Sequence, residues 1–569
     1  MSAVLSTVQE YGRRPPGLPE RIRHRPEWEY LRRQIYSTGM RFGEQLSFDF
    51  RVLLTDAKNA QYAGVLMWEL LRDFKPEVLV GPGFGSTPLL YGIAAAALNE
   101  GRNLQVLMVR DQRKDRNQKK WVEGNRFAAN GKRAVFVDDF MKAGSALPLV
   151  KKALSADKVA VELRAVGLFF DMWEPLGSRQ IGVSTAPVLA LFTRHDIGLS
   201  RDCFDAMPPL MKGGAPDFVS EEPRWWRFAL NHATGYPTKC APVIVDDAVL
   251  VADDHSQVWR HHLQTGEIEW MTPSLARPKK GIVQLLQGVG RSVIYGCYDG
   301  TVTRLDATTG EPLWRRKIDS SIHATPCIDE VHQRVFINTE QWNEGRPIGH
   351  LQCLDLETGR FLWKREHAWW PPGSSLLCPE VGLVIAPCND EALIALRTTT
   401  GELAWKTQTK GLVRGRPSLV ETSIGYLILT ATERGHLECR NASNGALIWS
   451  VRYGEGLWHQ FPLVMNDCVI VMDGKWHISA FDVETGELRW LSRLRSPGCW
   501  QAVPYGRFCA VLSREGHLAV FDPQREIKVW EGKLPGTFHQ PPTLRNGTLV
   551  AASNTSGLLA FDIHPYYEN

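Results

Sequence analysis

The sequence predicts two domains of different fold class: an α/β domain with a parallel sheet and helices on both faces, followed by an all-β eight-bladed propeller. Up to about residue 200, short apolar runs alternate with stretches whose apolar residues recur at helical spacing. Beyond residue 222, one short phrase ending in tryptophan recurs at a nearly constant interval. The length of 569 residues also exceeds what one hydrophobic core normally supports.

The composition excludes several classes of protein. The chain is 44% hydrophobic and 22% charged, which is typical of globular proteins, and its net charge of +4 creates no global field for nucleic acid or a membrane. Eleven cysteines without a CxxC pair predict buried thiols in a reducing compartment. The N-terminus shows no apolar leader, and no later run reaches the ~18 apolar residues of a spanning helix. We therefore expect a cytoplasmic protein.

The α/β domain is expected over residues 40–197, after a basic arm (1–39) and before a linker (198–222). Its predicted strands and helices alternate, and parallel strands joined by helices bind ligands at their carboxyl ends. Asp138 and Asp139 follow a buried strand at such an end. Two like charges repel, and burial increases the cost. The pair predicts either a polyhydroxylated or metal-bound ligand, or a merely solvated strand end.

The second domain is expected over residues 223–569. Tryptophans that end the repeated phrase are 40 to 49 residues apart, and each phrase fits a tight turn followed by a strand whose tryptophan packs between blades. The last unit (542–563) supplies three strands and lacks the tryptophan strand. RWWRFAL (224–230) supplies that strand and closes the eighth blade. The copies are QTGEIEW (264–270), TTGEPLW (308–314), ETGRFLW (357–363), TTGELAW (399–405), SNGALIW (443–449), ETGELRW (484–490) and the degenerate QREIKVW (524–530).

The repeated phrase resembles the propellers with pyrroloquinoline-quinone-type repeats, over about residues 223–563. That group includes quinoprotein dehydrogenases and non-enzymatic assembly scaffolds. In the dehydrogenases the quinone lies under a disulfide of adjacent cysteines, and no two cysteines are adjacent here. The resemblance therefore implies a scaffold that docks a protein partner, without a quinone.

The stretch VFVDDFMKAGSA (135–146) resembles the phosphoribosyl-pyrophosphate (PRPP) signature of type I phosphoribosyltransferases. In that family the two acids meet the ribose hydroxyls beside the anomeric carbon, where fixed negative charge stabilises an oxocarbenium-like transition state. The turn that follows would bind the 5′-phosphate with backbone N–H groups at a helix start. The resemblance implies this role for Lys142, Ala143, Gly144, Ser145 and Ala146.

Further segments resemble the same family in its own order over about residues 40–197. GPGFGSTPLLYGIA (81–94) resembles the pyrophosphate loop. VRDQRKDRNQKKWVEG (109–124) resembles the basic catalytic loop of the orotate branch, with Arg110 at a phosphate-binding position and Lys114 at the catalytic one; a solvated charged loop is the alternative interpretation. FDFRVLLTDAKNAQYAGVLMWELL (48–71) resembles the segment before the first core strand, and residues 166–197 resemble the last strand and hood. On the pyrophosphate side the resemblance implies Gly83, Phe84, Gly85, Ser86 and Thr87.

The departures from the orotate branch concern substrate and activity. Asp111 replaces a lysine and Arg116 replaces a histidine in the basic loop. In the hood, the arginine that meets the orotate carboxylate is replaced by Met172, and a thioether cannot pair with a carboxylate. Asp171, Met172 and Trp173 would line the base pocket, where Trp173 either stacks on a flat base or simply packs. We therefore expect a specificity other than orotate.

Two functions fit the sequence. The first is an enzyme that acts on PRPP or a related nucleotide, with Mg²⁺ carried by the substrate rather than by protein ligands, and with a homodimer implied by the family. The second is a catalytically inactive nucleotide sensor and interaction scaffold. The fusion to a propeller favours a regulatory setting such as a bacterial stress or phage-response complex. Nucleic-acid contact by the basic arm (Arg13, Arg14, Arg21, Arg23, Arg25) is a minor alternative, because short basic tails are more often solvated.

Overall fold

The computed structural model of the chain separates into two compact units, whose main parts are Gly12–Asp205 and Ala206–Asn569. No helix within the described ranges is long and apolar enough to cross a membrane. No disulfide joins any two of the ten cysteines in those ranges. The structure describes residues 18–41, 47–83, 85–110, 120–141, 146–172, 186–199, 216–227, 240–252, 257–272, 287–318, 321–343, 346–367, 373–457, 460–499 and 501–567.

The N-terminal unit alternates helices and strands, as predicted. Its helices are α1 (Glu20–Arg23), α2 (Pro26–Gln34), α3 (Phe50–Leu54), α4 (Ala57–Leu71), α5 (Thr87–Asn99), α6 (Arg126–Ala129) and α7 (Ala146–Ala156). Its strands are β1 (Met40–Arg41), β2 (Ser47–Phe48), β3 (Val78–Pro82), β4 (Gln105–Val109), β5 (Val122–Glu123), β6 (Lys132–Met141), β7 (Val161–Asp171) and β8 (Val188–Thr193).

Six strands form one sheet in the order β5-β4-β3-β6-β7-β8, and helices cover both faces. On one face α7 contributes Leu147 and Val150 to a core that includes Phe136. On the opposite face α4 lies so close that a β-carbon on Gly167 would be 2.8 Å from the Leu71 side chain. The strands are parallel except for the short edge strand β5, which pairs antiparallel with β4. The predicted fold class is therefore confirmed, with this one antiparallel strand added.

Much of the segment assigned to a basic arm (1–39) is instead part of this unit. Helix α2 packs against α4, and Trp28 and Leu31 are buried. Trp28 donates its indole N–H to the carbonyl of Leu191 at 3.1 Å. Arg25 pairs with Glu69 on α4 at 2.9 Å. Apolar residues at helical spacing between the arginines attach the described part of this segment to the domain, and Arg21, Arg23 and Arg25 are each paired with a carboxylate of that domain.

The C-terminal unit is an eight-bladed propeller, which confirms the prediction. Each blade is a four-stranded antiparallel sheet. Strand β9 (Trp225–Arg227) pairs with the last strand of the chain and completes the eighth blade. Blades one to four consist of β10 (Val243–Val245), β11 (Ala248–Ala252), β12 (Val258–His262), β13 (Ile268–Met271); β14 (Gln287–Val289), β15 (Ser292–Gly296), β16 (Thr301–Asp306), β17 (Pro312–Lys317); β18 (Cys327–Asp329), β19 (Arg334–Asn343), β20 (Arg346–Asp355), β21 (Phe361–His367); and β22 (Leu376–Cys378), β23 (Leu383–Cys388), β24 (Ala392–Arg397), β25 (Leu403–Gln408). Blades five to eight consist of β26 (Ser418–Thr422), β27 (Gly425–Ala431), β28 (His436–Asn441), β29 (Leu447–Arg452); β30 (Leu463–Met465), β31 (Cys468–Met472), β32 (His477–Asp482), β33 (Leu488–Arg493); β34 (Val503–Tyr505), β35 (Phe508–Leu512), β36 (His517–Asp522), β37 (Ile527–Lys533); and β38 (Thr543–Arg545), β39 (Thr548–Ser553), β40 (Gly557–Asp562) with β9.

The repeated phrase joins neighbouring blades. The tryptophan of one blade lies under the turn glycine of the next: a β-carbon on Gly310 would be 2.8 Å from the Trp270 ring, and Trp270 donates its indole N–H to the carbonyl of Thr308 at 2.9 Å. Trp225 on β9 meets Gly266 of the first blade in the same way. The eighth blade is therefore joined to the first by the same tryptophan–glycine contact that joins the regular blades.

The seventh and eighth blades depart from this pattern, because the eighth blade has no Thr-Gly turn. Trp530 instead donates to a carboxylate oxygen of Asp217 at 3.1 Å and lies 5.9 Å from the ring of Phe218. Phe218 is fully buried, and Val219 bridges Ile563. These residues belong to the segment 198–222 that we assigned to a linker. Its last part is a structural element of the propeller.

Candidate functional site

Asp138 and Asp139 lie near the carboxyl end of β6, side by side in sequence and in contact. Asp138 is 6% exposed, and the backbone N–H of Asp139 donates to its Oδ1 at 3.0 Å. Burial, followed by the charge of Asp139, raises the pKa of Asp138 to about 9. Burial also raises the pKa of Asp139, and a hydrogen bond with Asp138 and the positive charge of Arg51 offset part of that rise. A cation or hydroxyl donors at this position would favour the ionised pair.

The loop from β3 to α5 lies directly against these acids. A β-carbon on Gly85 would be 3.0 Å from Oδ2 of Asp139, so the absence of a side chain permits the approach. Gly83 has a φ of +44°, in the left-handed region that favours glycine. Ser86 and Thr87 each donate a hydroxyl to the carbonyl four residues earlier, at 2.7 and 3.0 Å. The loop thus leads into the N-terminus of a 13-residue helix, where backbone N–H groups favour an anion.

The sheet brings a third predicted residue to the same edge. The pairing of Val80 with Phe136 and of Pro82 with Val109 places the ends of β4, β3 and β6 at one level. Arg110 directly follows β4. Its Nε donates to a carboxylate oxygen of Glu123 at 2.8 Å, and its side chain is 45% exposed. An exposed ion pair of this kind contributes only about 0–1 kcal/mol, so a phosphate can compete for the guanidinium.

The opposite side of the acidic pair is formed by residues that we did not single out from the sequence. Phe48 lies 5.8 Å from Phe140 and 4.7 Å from Phe170, measured between ring centroids. Phe48 and Phe140 are half-buried, so part of each ring faces outward. Arg51 on α3 donates its Nε to Asp49 at 3.1 Å, and its charge reaches Asp139. The FDFR run at 48–51 was the available signal, but only tertiary packing brings it to the end of β6.

Two residues predicted for a base pocket lie in the interior. Asp171 ends β7 with 1% exposure, and Met172 is 8% exposed. Neither side chain presents enough surface to contact a base in this structure. Their role in a base pocket stays a prediction; in the described residues β7 extends through Asp171, and both side chains are buried.

Several predicted site residues lie outside the described residues, and no geometry is assigned to them. Ala146, the last residue of the predicted phosphate turn, is the first residue of α7. The residues without a described position are Phe84, Lys114, Lys142, Ala143, Gly144, Ser145 and Trp173.

Within the described ranges, no group of three or more His, Cys, Asp or Glu side chains is arranged to hold a metal ion. Two adjacent carboxylates are nevertheless the donor type that Mg²⁺ prefers, and Mg²⁺ usually completes its shell with water and substrate oxygens. The acidic pair fits a metal that arrives with a phosphorylated substrate.

Comparisons with known proteins assign a different likeness to each unit. A family model described as outer membrane protein assembly factor BamB matches residues 247–423 and 389–503. The outer membrane protein assembly factor BamB of Burkholderia pseudomallei is 25% identical over 341 residues, which cover 56% of this chain and 83% of that protein. The crystal structure of BamB from Moraxella catarrhalis is 19% identical, covers 58% of this chain and 95% of that chain, and has a TM-score of 0.47.

The N-terminal likeness is to an enzyme. The orotate phosphoribosyltransferase of Aquifex aeolicus is 27% identical over 152 residues, which cover 26% of this chain and 79% of that enzyme. The resemblances inferred from the motifs are thus confirmed for both units: a phosphoribosyltransferase-like N-terminal region precedes a propeller of the BamB-like repeat type.

Proposed function

We propose that the N-terminal unit binds PRPP or a related nucleotide. It either transfers the phosphoribosyl group of PRPP to an acceptor other than orotate, or removes that group from a nucleotide. The contact between Gly85 and Asp139 carries this proposal, because it joins the predicted pyrophosphate loop to the predicted ribose-binding acids. A ribose held at Asp138 and Asp139 would have its anomeric carbon beside that loop. One crevice would then hold the sugar and the leaving group.

The electrostatics of the acids fit this role. Burial is the main cause of the raised pKa of Asp138, and repulsion between the two carboxylates adds to it. Mg²⁺ bound to a pyrophosphate, together with ribose hydroxyls, would favour the ionised form. As positive charge develops at the anomeric carbon, preorganised carboxylates stabilise it more strongly than they stabilise the ground state.

In this proposal, the preferred acceptor is not a pyrimidine that carries a carboxylate. The residue that replaces the family's carboxylate-binding arginine, Met172, is an apolar and buried side chain. The half-buried rings of Phe48 and Phe140 instead offer an apolar surface beside the acids, with Arg51 at its rim. A flat base with a polar edge would fit this surface.

We propose in addition that the propeller docks a protein partner, that the enzyme is a cytoplasmic homodimer, and that it works in a stress or phage-response setting. The second candidate function, a nucleotide sensor without turnover, is favoured by one observation: Asp111 reverses the charge of a lysine position in the basic loop. A loop with less positive charge neutralises a pyrophosphate leaving group less well.

Calorimetry with PRPP and Mg²⁺, combined with a pyrophosphate-release screen over purine, pyrimidine and nicotinamide-like bases, tests the proposal. We expect Asp138→Asn with Asp139→Asn to abolish binding while the circular dichroism spectrum is unchanged. Lys114→Ala should lower turnover more than affinity, because the charge that it meets develops mainly in the transition state. Binding without turnover for any base favours the sensor. Unchanged affinity of the double variant removes the acids from the site.

A further inference from the structure

Histidines recur at one register position of the propeller blades. Among the described strands, four blades carry a histidine on their third strand, in each case three positions before the residue that pairs with the blade's tryptophan. Residues directly opposite each other in an antiparallel pair share a face of the sheet, with β-carbons about 4.5–5.5 Å apart. The opposing pairs are His350 with Glu366 in the third blade, His436 with Arg452 in the fifth, His477 with Arg493 in the sixth and His517 with Lys533 in the seventh.

In the sixth blade a carboxylate offsets the cation that faces the histidine. Asp473 lies in the turn before the third strand, and its Oδ1 accepts the backbone N–H of His477 at 2.8 Å. Its Oδ2 lies 2.7 Å from Nδ1 of the same histidine. Asp473 is 2% exposed and His477 is fully buried. A proton on His477 would therefore have an anion in direct contact that offsets the charge of Arg493.

The fifth and seventh blades have the same turn without the carboxylate. The hydroxyl oxygen of Thr432 accepts the backbone N–H of His436 at 3.1 Å, and that of Ser513 accepts the backbone N–H of His517 at 2.9 Å. Nδ1 of both histidines is buried and has no hydrogen-bond partner among the described residues. A hydroxyl carries no charge that could balance a proton on the ring. These two imidazoles are therefore the ones that acid would charge opposite an unbalanced cation.

The surroundings of His436 make its protonation costly. Burial is the largest cause that lowers the pKa of His436 below its ordinary value of 6.5. Glu438 raises this pKa, but that carboxylate is already bonded to Arg440 at 2.9 Å. Three neighbouring cations lower the pKa further, and they are Lys410, Arg452 and Arg434.

The surroundings of His517 act in the same direction. Burial again is the largest cause that lowers its pKa, and the charges of Lys533 and Arg495 lower it further. Glu515 and Glu531 raise it, and Glu531 is paired with Arg495 at 2.9 Å. Because the pKa is lower in the folded chain than in the unfolded chain, the unfolded chain takes up the proton first as the pH falls below 6.5. Acid therefore removes stability at both histidines.

The turns of the fifth and seventh blades also hold the segments that lead to the next blade. The carbonyl of Gly435 accepts the backbone N–H of Tyr453 at 2.8 Å, and the carbonyl of Gly516 accepts that of Leu534 at 2.8 Å. Tyr453 and Leu534 directly follow the outermost strands β29 and β37. A turn that opens would therefore also loosen the connection between neighbouring blades.

We propose that the turns 432–435 and 513–516 open in acid, whereas the turn 473–476 between them stays closed. Below about pH 6, a proton on His436 or His517 places like charges opposite each other in the strand pair, and the bond to the segment that follows the blade is released. The sixth blade keeps its turn because Asp473 balances the added charge. This pH response belongs to the propeller and is independent of the transferase-like site.

Hydrogen–deuterium exchange of the full chain at pH 7.5 and pH 5.0 tests this, with each rate divided by the intrinsic rate at the same pH. We expect the protection of residues 432–437 and 513–518 to fall at least about tenfold at pH 5.0, and that of residues 473–478 to fall less than about threefold. His436→Gln with His517→Gln should abolish the fall in the first two segments. The control is His24→Gln, which removes an exposed imidazole from the N-terminal unit and should leave the fall unchanged.

A second substitution transfers the carboxylate of the sixth blade to the seventh. Ser513→Asp should keep residues 513–518 protected at pH 5.0, whereas Ser513→Asn, which is similar in size but uncharged, should not. The proposal would be overturned by no fall at pH 5.0, by an equal fall in all three segments, by the full fall in the double histidine variant, or by equal behaviour of the two Ser513 variants. If Ser513→Asp does not fold, Asp473→Asn is the reverse test: residues 473–478 should then lose protection in acid, and unchanged protection would overturn the proposal.

Discussion

The backbone of Gly85 lies against the carboxylate of Asp139, so close that a β-carbon on the glycine would be 3.0 Å from Oδ2. The two residues are 54 positions apart and belong to loops that follow different strands. They meet because β3 and β6 are neighbours in the sheet and end at the same edge. A ligand that bridges sugar and pyrophosphate needs this proximity.

Gly85→Ala should weaken the binding of PRPP with Mg²⁺ about tenfold, which corresponds to about 1.4 kcal/mol. The added methyl group must displace either the loop or the Asp139 carboxylate, and overpacking typically costs about 1–3 kcal/mol. Calorimetric titration of the full chain measures the change. Ala95→Ser, on the exposed face of α5, is the control and should leave the affinity unchanged. Equal affinity of both variants would show that the contact plays no part in binding.

Asp138→Asn should raise the thermal stability of the N-terminal unit, and the gain should increase with pH. The ordinary pKa of this carboxyl is 3.8 and its folded value is about 9, so between these values the folded chain holds a proton that the unfolded chain has lost. Stability therefore falls as the pH rises through this window, and asparagine removes the loss. We expect the substitution to raise the free energy of unfolding by ~1–4 kcal/mol at pH 8.5 and by less at pH 5, as measured by scanning calorimetry. A gain that is larger at pH 5 would contradict the raised pKa.

Binding of PRPP with Mg²⁺ should release protons at pH 7.5. The ligand favours the ionised acids, whereas the free site retains a proton on Asp138. Titrations in two buffers of different ionisation enthalpy give the number of protons released for each PRPP bound. We expect this number to lie between about 0.5 and 1. In the Asp138→Asn variant any residual binding should release fewer protons. Proton uptake would show that the acids are not the groups that meet the cation.

Phe218→Ala should destabilise the propeller by ~3–5 kcal/mol, the usual cost of removing a buried phenylalanine side chain. Phe218 is fully buried between Trp530, Tyr505 and Tyr567. Guanidinium unfolding followed by tryptophan fluorescence measures the effect. Phe361→Ala, at a ring that is 49% exposed, is the matched control and should change stability by less than about 0.5 kcal/mol. Equal effects would mean that residues 216–219 are a passive linker.

The sequence was most informative where one local motif determines one contact. The tryptophan and the turn glycine of each repeat are only a few residues apart, and the same pair joins each regular blade to the next, so the ring and its closing strand could be predicted. Phe218 was missed because it occupies the position of a Thr-Gly turn without sharing its residues. The sequence around Phe218 contains no copy of the repeated phrase.

The site follows the same logic. The acids and the glycine loop each carry a local signature that follows a buried strand, so their common edge could be predicted. Arg51 and Phe48 could not, because α3 reaches the end of β6 only through aromatic packing between distant segments. The burial of Met172 also depends on how far β7 extends, and a pattern of apolar residues does not define that end.

The pairing of β9 with β40 has a consequence for the order in which the protein matures. Strand β9 leaves the ribosome more than 300 residues before its partner, so the nascent ring stays open until β40 has been synthesised. The transferase-like unit is complete long before that moment. A premature stop that removes only β40 would leave β9 unpaired, and it would convert a closed ring into one with two exposed, aggregation-prone edges.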